Sequence, residues 1–525
     1  MYSLAEKRLA ALVNAGSPAT FSGGKTGLEK ESLRVGPDGS IAQTAHPAAL
    51  GSALKHPWIT TDYSEALLEF ITPPLDSPAA AVAYLRELQH FVYLQLDDEL
   101  LWSSSMPCVV AGESSIPLAR YGTSNLGMMK TVYRRGLGYR YGRVMQVIAG
   151  AHYNYSFPDA FWPVLQELEQ DTRPLQDFVS DRYFCLIRNL QRFGWLVPYL
   201  FGASPAVCMS FLGGKPTKLL EFNDNTYYGP HATSLRMCDI GYQNTHEEEA
   251  GFKATYDSLE AYTDSLLHAI ATPCPRYAPI GLKVNGEYRQ LNANILQIEN
   301  EYYSSIRPKQ VPEGNEKPAL ALQRRGVRYV ELRSLDINIF DPQGISTVQC
   351  RFLETLMALA LFQDSPVISR AERREIDNNL SAVCYRGREP GLELQRNGKS
   401  VRLKQWAGEL CNALTGFADL LDAPETGTPY REALQAQIES VNDPDRTPSA
   451  RVLAGMREHN TGYFDYARYM SLQHQQYFLN LPYDAAQFRE FSATVQQSLV
   501  EQQAVEAVDE VSFDEFLRDY FAQTL

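Results

Sequence analysis

Four short stretches of this chain place charged or polar side chains at every second position, and any fold must satisfy that alternation. In an extended strand successive side chains point to opposite faces, and same-face neighbours lie roughly 7 Å apart. In residues 27–33 (GLEKESL), Glu29 and Glu31 share a face. In 67–71 (LLEFI), Glu69 stands in an otherwise apolar strand, with Asp62 a few residues upstream. In 146–156 one face reads Gln146, Ile148, Gly150, His152, Asn154 and Ser156, and the other Val147, Ala149, Ala151, Tyr153 and Tyr155. In 329–333 (YVELR), Glu331 and Arg333 share a face. Carboxylates, a histidine, an amide and an arginine therefore stand on strands whose other face reads as apolar. One such strand is ordinarily a solvated sheet face. Four of them ask for another account, because clustered buried charge is costly unless cations balance it. Carboxylate oxygens are the preferred ligands of Mg²⁺ and Mn²⁺, and an arginine among them suits a phosphoryl group in transfer. The pattern supports a metal–nucleotide site, set against the plainer reading of solvated faces. It leaves open whether the four strands are neighbours.

The chain has 525 residues, enough for about three domains or one large enzyme with helical additions. With 48 Lys and Arg against 62 Asp and Glu, its net charge of −14 argues against a nucleic-acid partner, which needs a basic footprint. No long apolar run occurs, so no membrane span is expected. The N-terminal stretch MYSLAEKRLAALVNAGSPA lacks the apolar core of a signal peptide. The eight cysteines are scattered without a C-x-x-C pair, and they read as reduced, mostly buried thiols of a cytoplasmic protein.

Periodicity predicts a helix over 1–15 and a strand over 27–35, followed by turn chemistry at 36–39 and a returning partner at 40–42. A second strand falls within 59–72. Ser77 and Pro78 supply a cap and a first-turn proline for a helix running to about 98. Further strands are expected over 145–157, 291–299 and 327–337, helices over 160–200, and a loop-rich segment over 201–245. Beyond 345 helical runs dominate, interrupted by one hairpin with Asn397–Gly398 at its turn. The expected architecture is α+β, with a catalytic sheet region over 1–345 and a mainly helical part over 346–525 packed on it. Gly23-Gly24-Lys25-Thr26 fails the Walker pattern, because Ala19 stands where its first glycine belongs. Ser/His/Asp hydrolysis has no G-x-S-x-G to support it.

GLEKESLRV, ITTDYSEALLEFITPP, SMPC, YGTSNLG, GAHYNYSF, ATSLRMCDIGYQN, LQIENEYYSSIRPK and VRYVELRSLDINIFDP follow one another in this order. Together they resemble glutamate–cysteine ligase (γ-glutamylcysteine synthetase) of the type found in γ-proteobacteria, strongly from about residue 20 to 345. The resemblance implies a glutamine-synthetase-like fold: a curved, mostly antiparallel sheet forming a funnel, with helices outside. It implies ATP-dependent joining of the γ-carboxylate of L-glutamate to the amino group of L-cysteine, the first step of glutathione synthesis. It implies Mg²⁺, or Mn²⁺, held by Glu29, Glu31, Asp62, Glu69, His152 and Glu331, with Asn154 beside them and Arg333 on the transferring phosphate. The cysteine pocket it implies is Tyr133, Gln146, Arg236, Tyr242 and Tyr303. It implies feedback inhibition by glutathione, and the chain is read as a monomer. No ATP-grasp-like extension is expected, which sets aside the bifunctional glutathione-synthesising version. Three alternatives remain: a ligase on the same scaffold with another acceptor amine, a glycoside hydrolase with paired carboxylates, and a nucleotide-binding regulator without turnover.

Overall fold

The computed structural model describes residues 2–241 and 252–525. Its centre is a seven-stranded sheet built from β1 (Lys25–Val35), β2 (Ile59–Thr61), β3 (Leu67–Ile71), β4 (Leu100–Leu101), β5 (Ala151–Ser156), β6 (Ile306–Lys309) and β7 (Tyr329–Leu335). The spatial order is β6-β7-β5-β1-β3-β2, with β4 on the far end of β1, and every pair is antiparallel. The four polar strands of the sequence are thus immediate neighbours. With the surrounding helices this is an α+β fold.

One face of the sheet packs into the core through Leu28, Leu68, Phe70, Tyr153, Tyr155, Val330 and Leu332. The helix Thr347–Phe362 lies in this core, started by a capping box in which Ser346 and Gln349 satisfy each other's backbone. Its Glu354 carboxylate accepts from Tyr155 Oη at 2.9 Å and from Tyr430 Oη at 2.7 Å, tying sheet to helices. The core face of β1 departs from the apolar expectation. It carries Lys30, whose ammonium donates to Gln89 Oε1 at 2.7 Å, and Arg34, paired with Glu99. Both are buried: Arg34 Nη1 and Nη2 also donate to Thr44 and to the Ala45 and Glu65 carbonyls, while its Nε has no partner among the described residues, and burial lowers Lys30 to about 7.

The helix Pro78–Tyr93 starts as its cap dictates, with Ser77 Oγ accepting from Ala80 N. The hairpin Glu393–Arg396 to Lys399–Arg402 turns through Asn397 and Gly398 at φ 54° and 73°, the left-handed pair that a tight two-residue hairpin needs. Residues 160–200 form three helices, Phe161–Leu168, Leu175–Phe193 and Leu196–Phe201, with Pro174 and Gly194 at the breaks. The 201–245 segment holds a small sheet of Ala206–Cys208, Leu220–Asn223 and Thr226–Tyr228.

Two expected strands are corrected. Residues 145–150 form no strand: Met145–Val147 is a 3-10 turn, and regular pairing begins at Ala151. Residues 291–299 form no strand. Leu291 N donates to Gln297 Oε1, Asn292 Nδ2 to Gln297 O, and Asn294 N to Asn292 Oδ1, so side chains take the bonds a ladder would use. The reading of the cysteines as reduced is also corrected. Cys108 and Cys208 form a disulfide with Cα atoms 5.5 Å apart across a sequence separation of 100, whereas Cys185, Cys238, Cys274, Cys350, Cys384 and Cys411 are free and buried. Among the described residues no helix is long and apolar enough to cross a membrane.

Replacing Glu354 by leucine leaves two buried tyrosine hydroxyls without their acceptor. The expected loss is about 1–3 kcal/mol per stranded hydroxyl, read as a lowered denaturant midpoint with unchanged slope.

Candidate active site

The opposite face of the sheet carries the polar alternation, and the strand register turns it into rows. Glu29 lies across from His152, Glu331 across from Asn154, and Glu31 across from Glu69. His152 Nδ1 sits 3.0 Å from Glu29 Oε2 and 3.3 Å from Glu331 Oε1, and its Nε2 lies 3.8 Å from Glu31 Oε1. Glu29, His152 and Glu331 each offer one ligand atom, all within 4.8 Å of one another. Asn154 Nδ2 donates to Glu29 Oε1 at 2.9 Å. Arg333 Nη1 donates to Glu331 Oε1 at 2.6 Å, and Lys309 Nζ lies 3.0 Å from Glu331 Oε2. Glu31 Oε2 accepts the Gly150 backbone N–H at 2.6 Å. Asp62, after β2, lies 3.8 Å from Arg134 Nη2, which reaches over from the helix Asn125–Tyr141.

Crowding of these carboxylates shows in their protonation. Burial pushes Glu69 up to about 8, helped by Glu29 and Asp62, and burial pushes Glu31 up to about 7. Burial also works to raise Glu331, but Arg333 and Lys309 outweigh it and hold that carboxyl well below the usual range. For His152, burial and Arg333 act to lower the pKa, yet the hydrogen bonds to Glu29 and Glu331 carry it up to about 9. The face thus offers carboxylate oxygens and an imidazole of the kind that suits a hard divalent cation. Asn154 Oδ1 and Arg333 Nε are buried without a hydrogen-bond partner among the described residues, which fits a face shaped around further bound groups.

A cavity opens at the Glu31 end of the rows. Its lining includes Glu31, Asp62, His152 and Arg333 together with Tyr133, Gln146, Arg236 and Tyr303. Arg236 is buried, and its Nη2 donates to the Arg333 carbonyl at 3.0 Å. It lies against Gly150, where an added Cβ would come 2.0 Å from Nη2, so that position admits no side chain. Tyr303 Oη lies 3.3 Å from Met237 Sδ. The structure therefore gathers Asp62, Tyr133, Tyr303, Gln146 and Arg236 around one cavity, while Glu29, Glu69, Asn154 and Glu331 stand on the adjoining rows. Tyr242 lies outside the described residues. The cavity also takes in Arg134, Tyr141, Glu301 and Arg307, which sequence reading did not single out. The one legible signal was the i, i+2 pair Arg307 and Lys309 in SSIRPK.

A family model described as glutamate-cysteine ligase matches residues 9–383. The glutamate–cysteine ligase of Alcanivorax borkumensis is 50% identical over 521 residues, covering 98% of this chain and 99% of that protein. That of Azotobacter vinelandii is 47% identical over 525 residues, covering 99% of each. A solved structure of glutamate–cysteine ligase from Francisella tularensis in complex with AMP superposes with a TM-score of 0.89 at 37% identity, covering 95% of this chain and 98% of that one. A bifunctional glutathione synthetase from Pasteurella multocida shares the fold with a TM-score of 0.72 at 24% identity, and the match spans 55% of its chain.

Glu69 gives a test of the crowding. Its folded-state pKa is above the ordinary value of 4.5, so the stability this contributes is full below that value and is lost as pH rises to about 8. Glu69→Gln removes the ionisation. In EDTA the variant is expected to melt above the parent at pH 9 and level with it near pH 4. Equal differences at both pH values would show that Glu69 ionises normally.

Proposed function

The chain belongs to the glutamate–cysteine ligase family, and we propose that the polar face of its sheet performs the family's chemistry with the residues placed above. The reaction joins the γ-carboxylate of L-glutamate to the amino group of L-cysteine at the expense of ATP, giving γ-glutamylcysteine, ADP and phosphate. It is the first step of glutathione biosynthesis. The observation that carries the residue assignment is the meeting of Glu29, His152 and Glu331 within 4.8 Å, with Arg333 donating to Glu331 at 2.6 Å.

A carboxylate is a poor acyl donor, because its oxygen would have to leave as oxide. Attack by the glutamate γ-carboxylate oxygen on the γ-phosphorus of ATP forms an acyl phosphate. The bond from that phosphorus to the β–γ bridging oxygen breaks, and its electron pair leaves with ADP. Mg²⁺, or Mn²⁺, held by Glu29, Glu31, Asp62, Glu69, His152 and Glu331 would neutralise the phosphate chain. Arg333 stands beside that set and takes up charge on the oxygens of the transferring group. Asn154 fixes the orientation of Glu29. The cysteine nitrogen, having lost one proton of its ammonium form, then attacks the acyl carbon; phosphate departs with the electron pair of the broken C–O bond, and the nitrogen gives up its second proton to a phosphate oxygen. Arg236 holds the cysteine carboxylate, with Tyr133, Gln146 and Tyr303 as walls and Tyr242 assigned there from sequence. Because small side-chain differences are worth about 1–3 kcal/mol in such a pocket, 2-aminobutyrate is accepted at reduced rate. The same reading makes the chain a cytoplasmic monomer inhibited by glutathione, which carries both substrate moieties.

ADP release by the purified protein with MgATP tests this. It is expected only when glutamate and cysteine, or glutamate and 2-aminobutyrate, are both present, with the matching γ-glutamyl dipeptide found by mass. ADP formed with glutamate but no cysteine adduct would assign a different acceptor amine. No glutamate-dependent ADP would overturn the reading. Arg333→Met is expected to lower kcat on the order of 10²–10³, with the KM for cysteine changed far less.

A further inference from the structure

The register of the sheet gives the active face a direction. Along β1 the rows run from Lys25 through Gly27 and Glu29 to Glu31, and the amino-acid cavity lies at the Glu31 end. The row through Gly27 continues as Asn154, Glu331 and Arg307. The next row, furthest from the cavity, follows from the same pairings: Lys25 opposite Ser156 and Lys309 opposite Tyr329. If glutamate occupies the cavity and its carboxylate meets the γ-phosphate at the carboxylate rows, the remaining phosphates extend toward this last row. Gly27, one row nearer the cavity, presents no side chain, and the last row offers hydroxyl and ammonium groups. Lys25 is paired with Asp76. Lys309 is different. Its side chain is 30% exposed on the edge strand, and its Nζ lies 3.0 Å from Glu331 Oε2, on the opposite flank of that carboxylate from Arg333.

We propose that Lys309 is a further catalytic residue, whose ammonium contacts the phosphate chain of ATP and takes up the charge that develops on the departing β-phosphate. The inference rests on the ligase reading above. Both oxygens of buried Glu331 face cations, Arg333 Nη1 on Oε1 at 2.6 Å and Lys309 Nζ on Oε2 at 3.0 Å. A divalent ion held by Glu331 would supply that compensation, and both cations would then be available to phosphate oxygens. Arg333, nearer the cavity, faces the transferring group, and Lys309, one row beyond Glu331, faces the leaving group. In the transfer the glutamate oxygen-to-phosphorus bond forms, the bridging oxygen-to-phosphorus bond breaks, and the electron pair settles on the ADP oxygens beside Lys309. An ammonium is a compact charge suited to such an oxygen.

The test compares the parent with Lys309→Met and Lys309→Arg. ADP binding with Mg²⁺ is measured by calorimetry, Mn²⁺ binding without nucleotide by the same method, and kcat and KM for each substrate by ADP release. Lys309→Met is expected to weaken ADP binding about tenfold and to lower kcat at least tenfold. Mn²⁺ binding without nucleotide is expected to stay equal or tighten, since a competing cation has gone, and the KM for cysteine is expected to stay within twofold. Lys309→Arg is expected to recover ADP affinity to within about threefold of the parent. Parallel losses of Mn²⁺ and ADP binding would make Lys309 a residue that only orients Glu331, and unchanged ADP binding and kcat would remove it from the chemistry; either overturns the proposal. A parent that releases no glutamate-dependent ADP would instead overturn the ligase reading itself.

Discussion

Burying like charges on one sheet face is the constraint from which the rest of this structure follows. Glu331 is fully buried, Glu31 nearly so, and Glu29, Asp62 and Glu69 crowd the same surface. Carboxylates withdrawn from water at such spacing are tolerated only with compensating charge. The chain supplies it from several elements: Arg333 on β7, Lys309 on the edge strand, a protonated His152 on β5, and Arg134 from a helix above. The face is therefore held together by cations and protons, a role that a divalent cation could share.

That arrangement needs a rigid base, because displacement by an ångström would separate a metal ligand from its set. The base is the other face of the sheet. Tyr153, Tyr155, Leu28 and Phe70 pack into a core shared with the helix Thr347–Phe362, and Glu354 draws Tyr155 and Tyr430 to one carboxylate. Even the charged groups on this side are held within the fold, Lys30 by Gln89 and Arg34 by Glu99. The cavity wall follows the same logic: Gly150 has no side chain because the Arg236 guanidinium occupies that space, while its N–H holds Glu31 in place.

Much of the site was legible because its signal is local. The motif GLEKESL puts Glu29 and Glu31 on one face in any fold that extends it, and YVELR does the same for Glu331 and Arg333. The misreadings share a physical cause. Residues 291–299 carry apolar alternation, but the side chains of Asn292 and Gln297 claim the backbone bonds a strand would need. Residues 145–150 alternate too, yet their path bends so that Gly150 can meet Glu31. Lys309 went unnoticed as a charge on a short strand, because its meaning depends on the carboxylate across the ladder.

The sequence by itself determined which side chains share a face, where helices and the tight hairpin begin and turn, and the family to which the chain is kin. Those follow from backbone geometry, caps and motifs, all of which act within a few residues. Only the tertiary structure decided that β7, β5, β1 and β3 lie side by side, that Glu29 meets His152 and Glu331, and that Cys108 bonds Cys208 across 100 residues. Strand order and register are fixed by which faces can be buried together, and that depends on segments hundreds of residues apart.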